Sequence, residues 1–142
     1  MKKAKTLLNL KEILLGLTVL LLQVSVYAQT TFKYKCYQSR DYNGNVSDRN
    51  ETTYFSFNGN IAWESEADGS EKVYDKGKYE YKLNDIYKYE GINNGKMIYR
   101  MWYQNKYNGR SPSNYDFLFI TPDKREIIQR TPMVDLYYIR IL

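Results

Sequence analysis

The chain has 142 residues, with 21 Lys and Arg against 16 Asp and Glu, one cysteine and no histidine. One cysteine excludes an intramolecular disulfide. The missing histidine excludes serine–histidine and cysteine–histidine nucleophile systems and the commonest metal ligand.

The N-terminus has the three parts of a secretory signal in order. Lys2, Lys3, Lys5 and Lys11 make a positive start, residues 13–22 are an uncharged, largely apolar run, and Val26-Tyr27-Ala28 offers small side chains to a signal peptidase. Gln23 ends the apolar run well short of the ~20 residues that a spanning helix needs. The pattern therefore predicts cleavage after Ala28, export to the periplasm, cell surface or medium, and no membrane span afterwards. Cys36 follows Tyr34-Lys35 and not a small-residue lipid-attachment motif.

Removing the signal takes away four lysines and Glu12, leaving 17 basic against 15 acidic residues, a net charge of +2. The remaining lysines alternate with acids, as in Lys78, Glu80 and Lys82, and form no basic face of the kind that nucleic acid requires. The remaining 142 − 28 = 114 residues suit one domain (29–142) with its own core.

Period-two alternation dominates this region. Phe32, Tyr34 and Cys36 alternate with Lys33 and Lys35, predicting a first strand with Cys36 as a small buried group. Residues 52–57 and 61–66 flank Asn58-Gly59-Asn60 as a hairpin. Between them and the first strand, Asn45-Val46-Ser47 and Asn50-Glu51-Thr52 match the glycosylation acceptor pattern and read as an exposed loop. Tyr79, Tyr81 and Leu83 alternate with Lys78, Glu80 and Lys82. Strands at 86–90 and 96–104 flank Asn94-Gly95, a pair suited to the positive φ angles of a type I′ turn. Further strands follow at 115–120, 125–129 and 134–142, with residues 105–114 as the longest structureless stretch. The expectation is an all-β antiparallel meander of eight or nine short strands, folded into a small barrel or sandwich after the N-terminal signal helix.

Cys36-Tyr37-Gln38-Ser39, with Asp41 and Gly44 after it, echoes Ala62-Trp63-Glu64-Ser65, with Asp68 and Gly69 after it. These aromatic–x–Ser strand ends, the Gly77-Lys78-Tyr79 strand start and the Tyr-rich ending resemble small secreted proteins of Gram-negative, gut-type bacteria that have no assigned activity. The resemblance implies a compartment and a β fold, and no chemistry.

The unusual feature is aromatic content: fifteen of the sixteen tyrosines, all but Tyr27, lie after the signal, with Trp63 and Trp102. In the 96–104 strand, Met97, Tyr99, Met101 and Tyr103 share one face and Ile98, Arg100 and Trp102 the other. Both faces are too apolar for an outer strand with one wet side. Trp63, Tyr99, Arg100, Trp102 and Tyr103 are therefore the candidate ligand-binding residues, as an aromatic surface suited to a glycan, a peptide or another small ligand.

Glu64 and Glu66 form a weaker acidic candidate. On one strand face their carboxylates would stand about 7 Å apart, within the inverting-glycosidase range. The sequence predicts no catalytic residue, no metal site and no cofactor. It favours a non-catalytic binding module with an extracytoplasmic partner. The alternatives are a carboxylate-only hydrolase, and a structural, inhibitor or outer-membrane protein, the last suggested by the apolar C-terminal run.

Overall fold

The structure, a computed structural model, describes residues 9–15, 28–76, 79–83, 85–103 and 116–142. Residues 9–15 form a short helix; among the described residues, no helix is long and apolar enough to cross a membrane. Val26 and Tyr27 of the predicted cleavage motif, and the predicted loop 105–114, lie outside the described residues.

Ten strands follow: β1 (Thr30–Asp41), β2 (Val46–Asn58), β3 (Ile61–Ser65), β4 (Lys72–Lys76), β5 (Tyr79–Leu83), β6 (Ile86–Asn93), β7 (Lys96–Tyr103), β8 (Phe117–Ile120), β9 (Glu126–Arg130) and β10 (Val134–Arg140). Eight of them close an antiparallel barrel in the order β1-β10-β9-β8-β7-β6-β3-β2. The choice between barrel and sandwich thus falls to the barrel. Closure leaves the meander no free edge strand, because β10 returns to pair with β1 from Tyr34↔Arg140 to Asp41↔Val134. β4 and β5 pair only with each other, in a hairpin set apart from the barrel between β3 and β6.

β4 is the strand that the alternation does not predict, and the segment between 37 and 52 is not the loop expected there. β1 runs on to Asp41 and β2 starts at Val46, with ladder pairs Gln38↔Asp48 and Arg40↔Val46. Residues 46–52 are exposed throughout, so both sides of this arm are wet and no apolar alternation marks it. Its turn is held by Asp41, whose carboxylate accepts N–H bonds from Asn43 and Asn45 at 2.9 Å. The predicted turns appear where expected: Asn94 and Gly95 both have positive φ, 49° and 73°.

Every second residue points inward and the interior is filled. Tyr34, Phe55, Tyr87, Leu118, Ile120 and Ile127 are 0–1% exposed. Tyr34 and Tyr138 both meet Phe55 edge to face, at centroid distances of 5.5 and 5.3 Å. The buried hydroxyls find partners: Tyr34 donates to the Lys124 carbonyl at 2.6 Å, and Gln129 accepts from Tyr138 at 2.9 Å while donating to Tyr87 at 3.1 Å. Burial pushes the Tyr34 and Tyr87 phenols far above the ordinary tyrosine value. Cys36 is buried as expected, and desolvation raises its thiol. A bulge between Cys36 and Gln38 places Tyr37 outside, 43% exposed, and turns Ser39 inward.

Candidate functional site

The β3 strand divides the first group of candidates. Ala62 and Glu64 share the inward side with their β2 partners Phe57 and Phe55. Glu64 sits at the barrel mouth, where its carboxylate accepts from the Thr53 hydroxyl at 2.6 Å and from Lys72 Nζ at 2.5 Å. Lys72 Nζ also reaches Thr53 Oγ1 at 3.0 Å, closing a triangle that ties the start of β4 to the barrel. Glu66 stands beyond the end of β3, where its N–H and carbonyl close the following turn with Ser70 and Gly69. The expected Glu64–Glu66 pair on one strand face is therefore not assembled: one acid faces inward onto a lysine, the other opens a turn.

Trp63 points outward. Its ring N–H donates to the Gly69 carbonyl at 3.1 Å, which fastens the 66–71 loop along the outside of β3. Under this loop a chain of hydroxyls runs across three strands, Thr31 to Ser56 at 2.7 Å and Ser56 to Ser65 at 2.8 Å. Ser56 and Ser65 are 0% and 2% exposed although they lie on the outer side of the wall. Gly69 suits this turn through its backbone angle, and a side chain there would push the Gln29 end aside. Its φ is +83°, and a Cβ there would stand 1.7 Å from the Gln29 side-chain nitrogen and 2.8 Å from Thr31 Oγ1.

Between this loop, β3 and the start of β6 lies a cavity of about 360 Å³. That is within the size range of small-ligand sites. Ile61, Trp63 and Ile86 form its apolar walls, and Asn58, Glu71 and Asp85 its polar ones. The Asn58 carboxamide oxygen is buried and has no hydrogen-bond partner among the described residues. Such an atom costs about 1–3 kcal/mol until a donor reaches it. Nearby, the Ser70 hydroxyl and N–H both hydrogen-bond Asp68 and hold its carboxyl below the ordinary value.

The β7 candidates separate in the same way. Tyr99 is 4% exposed and Met101 7%, so Tyr99 belongs to the core and to no aromatic surface. Its neighbours alternate outward: Arg100 forms an ion pair with Glu90 at 2.8 Å, and Trp102 is 59% exposed. Lys88 Nζ lies 3.4 Å from the centre of the Trp102 ring. The backbone of Tyr103 pairs with Ile86, while its side chain lies outside the described residues. The two-faced apolar character of this strand thus has one cause on each side, a filled barrel within and ring-covering charges without.

Trp63 and Trp102 lie on the same outer wall, on strands that flank β6 and stand about 10 Å apart. The pairs Ile61↔Lys88 and Lys88↔Arg100 link the three strands. Sequence reasoning found both tryptophans and missed Asn58, Glu71 and Asp85. Asn58 reads as part of a turn, and the two acids meet only because the β4–β5 hairpin brings its two stems together. No protein family, no curated protein and no solved structure matches the chain.

Proposed function

We propose that this is an exported, non-catalytic binding protein that holds a small ligand, or one end of a larger one, in the cavity over Trp63. The observation that carries the reading is a cavity of about 360 Å³ walled by Trp63, Ile61 and Ile86 and edged by Asn58, Glu71 and Asp85. Aromatic and aliphatic walls with a few convergent polar groups are the usual make-up of a ligand site. The filled interior favours the outside of the wall over the barrel lumen as the place of binding.

The polarity of the wall supports a barrel surrounded by water. Its buried core points inward, and Lys88, Glu90, Arg100, Arg130 and Asp135 stand among the outward rings Trp102, Phe117 and Phe119, where a lipid-facing barrel has an uncharged apolar band. The secretory pattern of residues 1–28 supports export, with Gln29 as the mature N-terminus.

The test is binding of the mature chain to glycan and peptide arrays, repeated with Trp63→Ala and Trp102→Ala. Loss of about tenfold or more with Trp63→Ala and little change with Trp102→Ala is the expected result. Equal binding by all three proteins would overturn the reading. N-terminal sequencing of protein recovered from the medium or periplasm checks the export half independently.

A further inference from the structure

We propose that the chain pairs with a second copy of itself along the open edge of β2. The edge exists because β2 is longer than the strand that covers it. Its ladder with β3 runs from Tyr54↔Ser65 to Asn58↔Ile61, whereas β1 accompanies it out to Val46. On the side away from β1, residues 46–52 have no ladder partner among the described residues, and all seven are exposed. Barrel closure therefore ends at Tyr54, and the arm beyond it keeps one open side. A strand edge of this kind presents the N–H and C=O groups of alternate residues, a ready template for a further strand.

Charges on an edge usually keep other strands away. Here Asp48, Arg49 and Glu51 are placed so that they select the chain's own copy. Ser47 pairs with the inward Ser39, and Glu51 with the inward Cys36. Arg49 lies on the same side, since its Nε donates to the Ser39 hydroxyl at 3.1 Å and its Nη1 stands 3.2 Å from the Glu51 carboxylate. The two charged side chains are 40% and 70% exposed, open to a partner. In an antiparallel pair centred on Asn50, Arg49 stands opposite the partner's Glu51, and Glu51 opposite the partner's Arg49. Asp48 then meets the partner's Thr52. Moving the register by one residue sets Asp48 against Glu51 in one direction and opposes no two charges in the other. Moving it by two sets Arg49 against Arg49 or Glu51 against Glu51. Within that range one register alone brings opposite charges together. Opposite charges across an antiparallel pair stabilise it, and like charges destabilise it. The same patch serves both copies, as a closed dimer requires.

Sedimentation velocity of the mature chain, from about 10 µM to about 1 mM, provides the readout. The expected result is a dimer whose fraction rises with concentration. Arg49→Glu and Glu51→Arg should each weaken it by about tenfold or more, because each variant sets like charges against one another. An equimolar mixture of the two variants should dimerise again, since every glutamate of the first then faces an arginine of the second. The double variant Arg49→Glu, Glu51→Arg should dimerise like the parent chain. Both sites are exposed, so the thermal midpoints should stay within a few degrees of the parent's. A monomer at every concentration overturns the inference and leaves the edge to a strand of another protein. A dimer indifferent to both single variants lies elsewhere on the surface and overturns it too. A dimer lost in the single variants and restored neither by mixing nor by the double variant overturns the register and the self-pairing with it.

Discussion

The outer wall over β7 to β10 and the outer wall over β3 and β6 are built from the same kinds of residue and end in different states. On the first, each ring has a charge of the chain's own beside it. Phe117 and Phe119 lie 5.9 Å apart under Arg100 and Arg130, and Arg130 is held in turn by a bidentate pair with Asp135 at 2.9–3.3 Å. On the second, Trp63 borders a cavity edged by Asn58, Glu71 and Asp85. Exposed aromatics alone do not mark a site, since an outward ring is stabilised by about 0.5–1 kcal/mol when a surface cation covers it. What distinguishes the Trp63 wall is that its ring borders a cavity of about 360 Å³.

The comparison assumes that stability resides inside the barrel and that the walls are free to specialise. The largest expected effect tests that. Phe55 is fully buried between Tyr34 and Tyr138, and Phe55→Ala should cost about 3–5 kcal/mol in denaturant unfolding. For a domain whose total stability is about 5–15 kcal/mol this approaches loss of the fold. A cost below about 1 kcal/mol would mean that the interior is not the packed core it is taken for.

High pH provides the next largest effect. Tyr34 and Tyr87 keep their protons in the folded barrel to values well above the ordinary 10.0, because burial penalises the phenolate. The unfolded chain releases those protons near 10, so above that pH the folded state binds more protons and stability falls as pH rises. The slope is about 1.4 kcal/mol per pH unit for each tyrosine. Urea unfolding between pH 9 and 11 should show the decline. Tyr34→Phe and Tyr87→Phe should each flatten it; slopes unchanged in both would sink the assignment.

At the barrel mouth the effect is smaller. The side chains of Glu64 and Lys72 are 12% and 24% exposed. Lys72→Met takes the ammonium from the Glu64 carboxylate, leaves it the Thr53 hydroxyl bond, and should cost about 2 kcal/mol. The double variant Glu64→Gln, Lys72→Met should recover part of this in a mutant cycle. Strict additivity would show that the triangle does not hold β4 to the barrel.

Much of the barrel was legible in the alternation, and the reason is local. Where a strand has one dry side, as in Phe32-Lys33-Tyr34-Lys35-Cys36, period two appears directly in the residue types. The same period puts Ala62, Glu64 and Glu66 on one side, and what separates the two acids is that β3 ends at Ser65, where Glu66 enters the turn with Gly69 and Ser70. The 46–52 arm has two wet sides and left no pattern, and β4 pairs only with β5, outside the barrel sheet. The cavity was the least legible part. Its acids are joined by a hairpin whose stems meet only in three dimensions, and sequence marks Asn58 at its wall only as a turn residue. The tryptophans themselves stood out, but that Lys88 covers Trp102 depended on the register that brings the two together.

The smallest expected effect sharpens the comparison of the two walls most directly. Trp102 is 59% exposed and its main neighbour is the Lys88 ammonium. Trp102→Ala should therefore change unfolding stability by no more than about 0.5–1 kcal/mol. It should change array binding by less than about twofold, against about tenfold for Trp63→Ala. Lys88→Met uncovers the Trp102 ring and should still leave array binding within about twofold, because that ring stands on the open wall and not at the Trp63 cavity. Binding gained by the variant would mean that an open indole face is sufficient on this surface; unchanged binding would leave the cavity as what separates the two tryptophans.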